Sequence, residues 1–501
     1  MKKLFRLPQL SCVVLLLSCT TDVPPDNSVQ PTDLTKVAAV NPPVTPPVNT
    51  ASDVLPPLYP FGKETYFIKG QTSATPSLNV DAFFANKMAT PNMGNLIKAG
   101  EKLNMVAMGG GMTAGVRNGG LYRAGQMTAY PNLVARQMGI TDFQSPLFAD
   151  NEANGTGYLQ LIDDGTAYPS WKEVKNNIAT VKAGSPPEMP KYTGGTVNNY
   201  ALPEGGLAIM RGKINNSGVF SSGKTWITPQ VFASRIMPST VDISQVSLRE
   251  QMFKQPINFF IMEDDVDYLY TLIKSNINSL GTYGYDRMST GSSVSAFSIM
   301  IDLLKEKYKT DKGVIFTWPI ITDLPYFNWY SIQDLKNKAK SFSIKTSRGD
   351  YNYLLDGSTN NFILLPTPTV DGLFRNLKKG EDVSVTLTDA DIIDPQEYNS
   401  STRFIRESNS IIRGFAKFQG LAVVDLEKIY EQIHANTYTS SDGFRIDGST
   451  RGNFFSSDGI YPTAVGQAVI ANEVIKAINT TYKSSIPLID LKDYSLTVGK
   501  E

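Results

Sequence analysis

Few residues in this chain are placed to do chemistry. The run "MVAMGGGMTAG", Met105 to Gly115, is a short apolar strand leading into a glycine cluster. A strand that turns sharply on glycines is a setting for a nucleophilic serine. Here Gly111 stands at the centre, and nothing in the glycine cluster can attack a carbonyl. Carboxylates are more plentiful. "EDDVD" places Glu263, Asp264, Asp265 and Asp267 just past an apolar run. Hard cations such as Ca²⁺ favour clustered oxygen ligands, but the spacing is not that of an EF-hand, and a solvated acidic strand end accounts for the same residues. Asp264 and Asp458 would suit glycosidase-type acid–base work only at the right separation. The single histidine, His434, lies in "KIYEQIHANTY" and reads as an exposed residue at a polar helix end. No Walker loop, zinc-ligand spacing or dinucleotide fingerprint is present, so no cofactor and no metal are expected.

The elements that must hold these residues alternate. Strand-like apolar runs fall at Met105–Met108, Phe259–Met262, Val314–Trp318 and Leu421–Val424. Helical spacing runs from about Val294 to Tyr308, from Pro395 to Phe418 and from Thr463 to Asn479. Nearly continuous apolar strands between helices predict an α/β fold with a parallel sheet covered on both faces. The Gly- and Asn-rich segments 141–225 and 341–390 have weaker periodicity and read as large loop insertions. The aromatic run "LPYFNWY", Leu324 to Tyr330, reads as core rather than as a ligand platform.

The chain has 501 residues, and its 41% hydrophobic content is enough to bury a sizeable core. Lys plus Arg and Asp plus Glu number 47 each, so bulk charge gives no attraction to nucleic acid, and no nucleic-acid partner is expected. At the N-terminus, Lys2, Lys3 and Arg6 precede an apolar run far shorter than the ~20 residues that span a bilayer. Leu16, Leu17, Ser18 and Cys19 resemble a bacterial lipobox. That resemblance implies a signal peptide over residues 1–18 and acylation of Cys19. Cys12 would leave with the signal, so the mature chain would have no thiol beyond its anchor. Residues 19–65 read as a tether, with ten prolines between positions 20 and 60. Residues 66–501 read as one domain.

Several blocks together resemble the SGNH (GDSL-type) hydrolase family. They are "GGGMTAG", "YPNLVARQMG", "VNNYALPEGG", "NFFIMEDDVDYL", "WPIITDLPYF", "GLAVVDLEKIY" and "SSDGIYPTAVGQAVIANEVIKAIN", in that order. The resemblance covers about residues 100 to 485 and is closest to lipoproteins of the Bacteroidetes type. It implies a flavodoxin-like, doubly wound sheet with the site at the carboxyl ends of the strands. It also implies ester or acetyl hydrolysis by a serine, a histidine three residues after an aspartate, and an oxyanion hole. On this sequence the nucleophile position falls on Gly111. The second-block glycine falls at Glu204 or Gly205, the oxyanion asparagine on Asp264, and the aspartate–histidine pair on Asp458 and Tyr461. Glycine has no nucleophile, tyrosine with a pKa of ~10 is a poor base, and an ionised Asp264 would repel an oxyanion.

A non-enzymatic lipoprotein is therefore expected, an interaction or scaffold subunit anchored in the outer membrane. The resemblance further implies a β-barrel partner in barrel assembly or transport. Asp22, acidic just after Cys19, leans toward the cell surface rather than the periplasmic face. Two alternatives stay open: a residual esterase or acetyl-hydrolase, and a glycan- or lipid-binding module in the old substrate cleft.

Overall fold

The computed structural model describes residues 83–84, 91–98, 100–162, 170–180, 189–203, 206–210, 229–238, 246–264, 266, 292–347, 349–352, 362–449 and 452–498. Residues 1–65, with Cys19, and also Glu204, Gly205, Asp265 and Asp267 lie outside them, so the expectations placed on those residues are not addressed by the fold.

Four parallel strands form the central sheet: β1 (Met105–Met108), β2 (Phe259–Met262), β3 (Gly313–Phe316) and β4 (Ala422–Val424), side by side in that order. Every residue of β1, β2 and β3 is buried, which explains their unbroken apolar character. An extended segment on the free edge of β1 continues the sheet. Ala107 N donates to the Asn198 carbonyl (2.9 Å), Tyr200 N to the Ala107 carbonyl (2.8 Å) and Leu202 N to the Gly109 carbonyl (3.0 Å). Since Ala107 and Asn199 bridge in parallel, the chain steps first to one side of β1 and then builds β2, β3 and β4 on the other.

Reversing the direction of travel while keeping right-handed crossovers puts helices on both faces. On one side lie α2 (Tyr130–Gln137), α6 (Ala464–Tyr482) and α7 (Leu491–Val498), with α6 packed on α2, α7 and β4; on the other, α3 (Ser292–Tyr308) packs against α4 (Pro395–Gln419). The short α1 (Gly111–Ala114) follows β1, and α5 (Leu426–His434) follows β4. The three long helices appear where the apolar spacing predicts them. Their ends are set by capping. Asp394 and Glu397 form a reciprocal capping box ahead of Pro395, and Gly420 closes α4 at φ +71°. Thr463 caps α6 by accepting from Gly466 N (3.0 Å).

The described parts of the weakly periodic segments hold more regular structure than their composition suggests. Tyr158–Ile162 and Ser170–Val174 pair antiparallel. Ser341–Thr346 pairs antiparallel with Gly349–Asn352 and parallel with Ser384–Thr388, and alternation along it buries Phe342 and Ile344. These strands are too short, and too often interrupted by turn residues, for a period to stand out. Leu324, Tyr326, Phe327 and Tyr330 are buried, in keeping with a core role for the aromatic run. Among the described residues no helix is long and apolar enough to cross a membrane.

Candidate functional site

The carboxyl end of the sheet brings together the glycine loop after β1, the residue after β2 and the loop before α6. Gly111 begins α1 directly after the turn, and its carbonyl accepts from Gly115 N (2.9 Å) and Val116 N (2.8 Å). Gln467 of α6 ties the loop down, donating to the Met112 carbonyl (3.0 Å) while accepting from Tyr130 N (2.9 Å). Asn199, on the edge segment, donates to the Thr113 carbonyl (2.9 Å).

The group that faces this loop is Glu263, and it is 1% exposed. One carboxylate oxygen accepts from Gly110 N (3.0 Å) and from Thr113 Oγ1 (2.9 Å), and the other accepts from Val266 N (2.8 Å). Its own N–H donates to the Met108 carbonyl (3.0 Å). The Thr113 hydroxyl is shared with Tyr130 OH at 2.8 Å. Burial, then the Glu263 charge, push the Tyr130 phenol well above its ordinary pKa, only partly offset by Thr113. The same pattern holds for Tyr430, raised by burial and by the nearby charges of Glu263 and Asp458. Both phenols are thus neutral donors, not bases. Gly109 is required by close approach: a Cβ there would lie 2.7 Å from Thr113 Oγ1 and 2.8 Å from Glu263 Oε2.

Asp458 is also 1% exposed. Its Oδ1 accepts from Ile460 N (2.8 Å) and Tyr461 N (2.9 Å), and its Oδ2 accepts from Gly119 N (2.9 Å). Burial raises its pKa, and these backbone donors hold the rise in check. Gly119 belongs to a two-residue hairpin in "RNGG", where Arg117 and Gly120 exchange backbone bonds and Asn118 and Gly119 have φ of +54° and +74°. Asp458 therefore pins that hairpin to the approach of α6. Asn118 joins the same seam by accepting from Ser457 N (3.0 Å).

Of the other residues marked in the sequence, Tyr461 is buried (1% exposed) and its N–H is spent on Asp458. Asp264 is half-buried, and its carbonyl accepts from Trp318 Nε1 (2.6 Å). His434 ends α5 and is half-buried rather than exposed, with its pKa lowered by that burial. The described residues contain no group of three potential metal ligands. A cavity of about 350 Å³ opens elsewhere, among Phe84, Arg136, Ile140 and Phe143, and none of its lining residues belongs to the glycine loop, Glu263 or Asp458.

Sequence reading passed over Thr113, Tyr130 and Gln467 and took Glu263 only as one of four clustered acids. The "NG" pair of the hairpin was the one local signal that could have marked its partner, Asp458, as structural.

A second acid at this end of the sheet titrates unusually. Asp323 follows β3, and burial, with the charges of Glu431 and Glu427 against that of Arg406, raises its pKa to about 7. A folded-state pKa above the unfolded one means stability is fully present below about pH 4 and declines as pH rises toward 7. Asp323→Asn is expected to gain on the parent over that window, reaching at most about 4 kcal/mol of added stability at pH 8. Urea unfolding of both proteins at several pH values checks this; a difference that stays flat with pH refutes it.

Compared with protein-family models, with curated proteins and with solved structures, the chain matches none of them.

Proposed function

We propose that this chain is a degenerate SGNH-type protein that has given up hydrolysis and serves as a lipid-anchored interaction subunit of an outer-membrane complex, with a β-barrel protein as its partner. The strand order, with the Asn198–Leu202 edge counted second in the chain, reads 2-1-3-4-5 and supports a flavodoxin-like, doubly wound sheet of the SGNH kind. The observation that carries the functional reading is the occupancy of the loop. Gly111 stands at the nucleophile position, and the donors beside it already hold the Glu263 carboxylate. An oxyanion hole must present free donors to a developing charge. Gly110 N and the Thr113 hydroxyl, bound to Glu263, are not free to do so.

The burial of Asp458 and Tyr461 speaks against the old cleft as a glycan or lipid pocket. What remains to meet a partner is the outer surface, including the ordered insertions, and loops on a rigid scaffold are where binding is commonly added. The lipobox-like run ending at Cys19 supports anchoring. Several buried acyl chains would make it effectively permanent, at ~0.8 kcal/mol per CH₂.

Two measurements test the reading. Membranes solubilised in mild detergent should yield the chain together with an outer-membrane barrel. After a high-salt wash, which strips electrostatic surface attachment, Cys19→Ser should move the protein from the membrane fraction to the soluble or unprocessed fraction, and lose the barrel with it. A purified chain that hydrolyses short-chain aryl esters, with turnover abolished by Asp458→Ala in a protein still folded, would overturn the non-enzymatic reading.

A further inference from the structure

The amino end of the sheet, opposite the glycine loop, is rich in lysine. The last turn of α3 and the loop into β3 hold Lys305, Lys307, Lys309 and Lys312. Lys254 precedes β2, Lys417 lies in the last turn of α4 ahead of β4, and Lys483 follows α6. Contacts tie the last turn of α3 and the loop into β3 to each of the neighbouring connections. Lys307 Nζ donates to the Phe253 carbonyl (2.7 Å) beside Lys254. Lys305 Nζ reaches Gln419 Oε1 (2.5 Å) beside Phe418, and Lys312 Nζ lies 5.3 Å from the centre of the Tyr482 ring beside Lys483. None of these lysines is ion-paired among the described residues, whereas Lys102 at the edge of the surface pairs with Asp142 (2.6 Å). The acids on these connections are Glu101, Glu306 and Asp311. A chain with formal net charge +0 thus gathers positive charge at one end.

Helix dipoles account for lysines in the last turns of α3 and α4. At Lys309 and Lys483 the ammonium donates to a carbonyl of the helix end, Glu306 O (3.1 Å) and Thr480 O (3.0 Å), which accounts for those two locally. Neither effect accounts for Lys254, which precedes β2. They also leave Phe418 unexplained. At 85% it is the most exposed large hydrophobic side chain among the described residues, and Lys417 precedes it.

We infer that this end of the molecule docks on an anionic phospholipid surface, with the lysines drawn to headgroup phosphates and Phe418 immersed at the acyl boundary. The cations here are lysines, point charges suited to a diffuse surface, without the arginine forks that read individual phosphates. A free-standing phenylalanine at a helix end fits an apolar interface. The docking stands whether or not Cys19 is acylated, and it turns Glu263 and Asp458 away from the bilayer.

The test uses the full chain carrying Cys19→Ser, sedimented with phosphatidylcholine vesicles with or without about 30% phosphatidylglycerol, in roughly 0.1 M and 0.5 M salt. The signal segment, with Lys2, Lys3 and Arg6, contributes equally to parent and variants, so the comparison is made between them. Changing Lys305, Lys307, Lys309 and Lys312 together to Gln is expected to lower partition onto the anionic vesicles by ~10²-fold or more at low salt, from about fivefold per lysine. Phe418→Ser should weaken binding roughly tenfold at both salt levels. Thermal melts of these surface variants should match the parent. Equal partition of parent and quadruple variant refutes the inference. Binding that a single-stranded oligonucleotide removes in preference to vesicles also overturns it, and assigns the surface to nucleic acid.

Discussion

Glu263→Ala is expected to lower the free energy of unfolding by about 3–5 kcal/mol, among the largest effects of any single substitution in this domain. The carboxylate accepts from Gly110 N, Thr113 Oγ1 and Val266 N in a site that is 1% exposed. Truncation leaves those donors facing a small cavity, and each buried donor left unmade costs about 1–3 kcal/mol. The backbone donors cannot turn away, because Gly110 is fixed between β1 and α1 and Val266 follows β2 by a few residues. Glu263→Gln should cost less than Glu263→Ala. Its one carbonyl oxygen can still accept from one side, while its NH₂ meets donors on the other. Chemical unfolding of the three proteins checks the order. A loss under 1 kcal/mol for Glu263→Ala would mean that the glycine loop holds its shape without the carboxylate.

Placing the SGNH side chains at the positions the proposed resemblance assigns should fail to produce SGNH chemistry. Gly111→Ser, Asp264→Asn and Tyr461→His together supply a hydroxyl, an amide and an imidazole at the matching positions. An intact triad contributes about 10⁶-fold to turnover. The triple variant is expected to stay at the background of aryl-ester hydrolysis, for three reasons. The N–H of Gly110, the residue before the new serine, is held by Glu263. Asp458, the partner an imidazole would need, already accepts three backbone N–H groups. Position 461 is buried, so a histidine there must fit where a tyrosine ring now packs. Catalytic groups must be held to about 0.5 Å, which requires supporting contacts the substitutions do not provide. A steady-state esterase assay on a variant shown to be folded decides it. Turnover near that of an intact triad would show that the cleft still admits substrate and that Glu263 yields its donors.

Much of the architecture was written into the order of residues. β1, β2, β3 and β4 are unbroken apolar runs because both faces of a covered parallel sheet are dry, and that pattern is visible without coordinates. Helices α3, α4 and α6 carry period and caps in their own sequence: Asp394, Pro395 and Glu397 open α4, and Gly420 ends it. That Gly111 has no side chain to act as a nucleophile needed no structure at all. The insertions were less legible: Ser341–Thr346 buries only Phe342 and Ile344 between polar residues, and one of its partners, Ser384–Thr388, lies about 40 residues away.

The meaning of the acids was decided only by tertiary contact. In the chain, Glu263 is one of four carboxylates in a row, equally suited to a cation or to solvent. Folding sets it against a loop more than 150 residues earlier, where burial turns it into the acceptor that closes the site. The family resemblance puts Asp458 at the triad aspartate; folding adds a bond to it from Gly119, 339 positions away. A residue's type states which bonds it can make. Which partners it meets in a low-dielectric interior is fixed by the packing of distant segments, and a local pattern of residues carries no record of that.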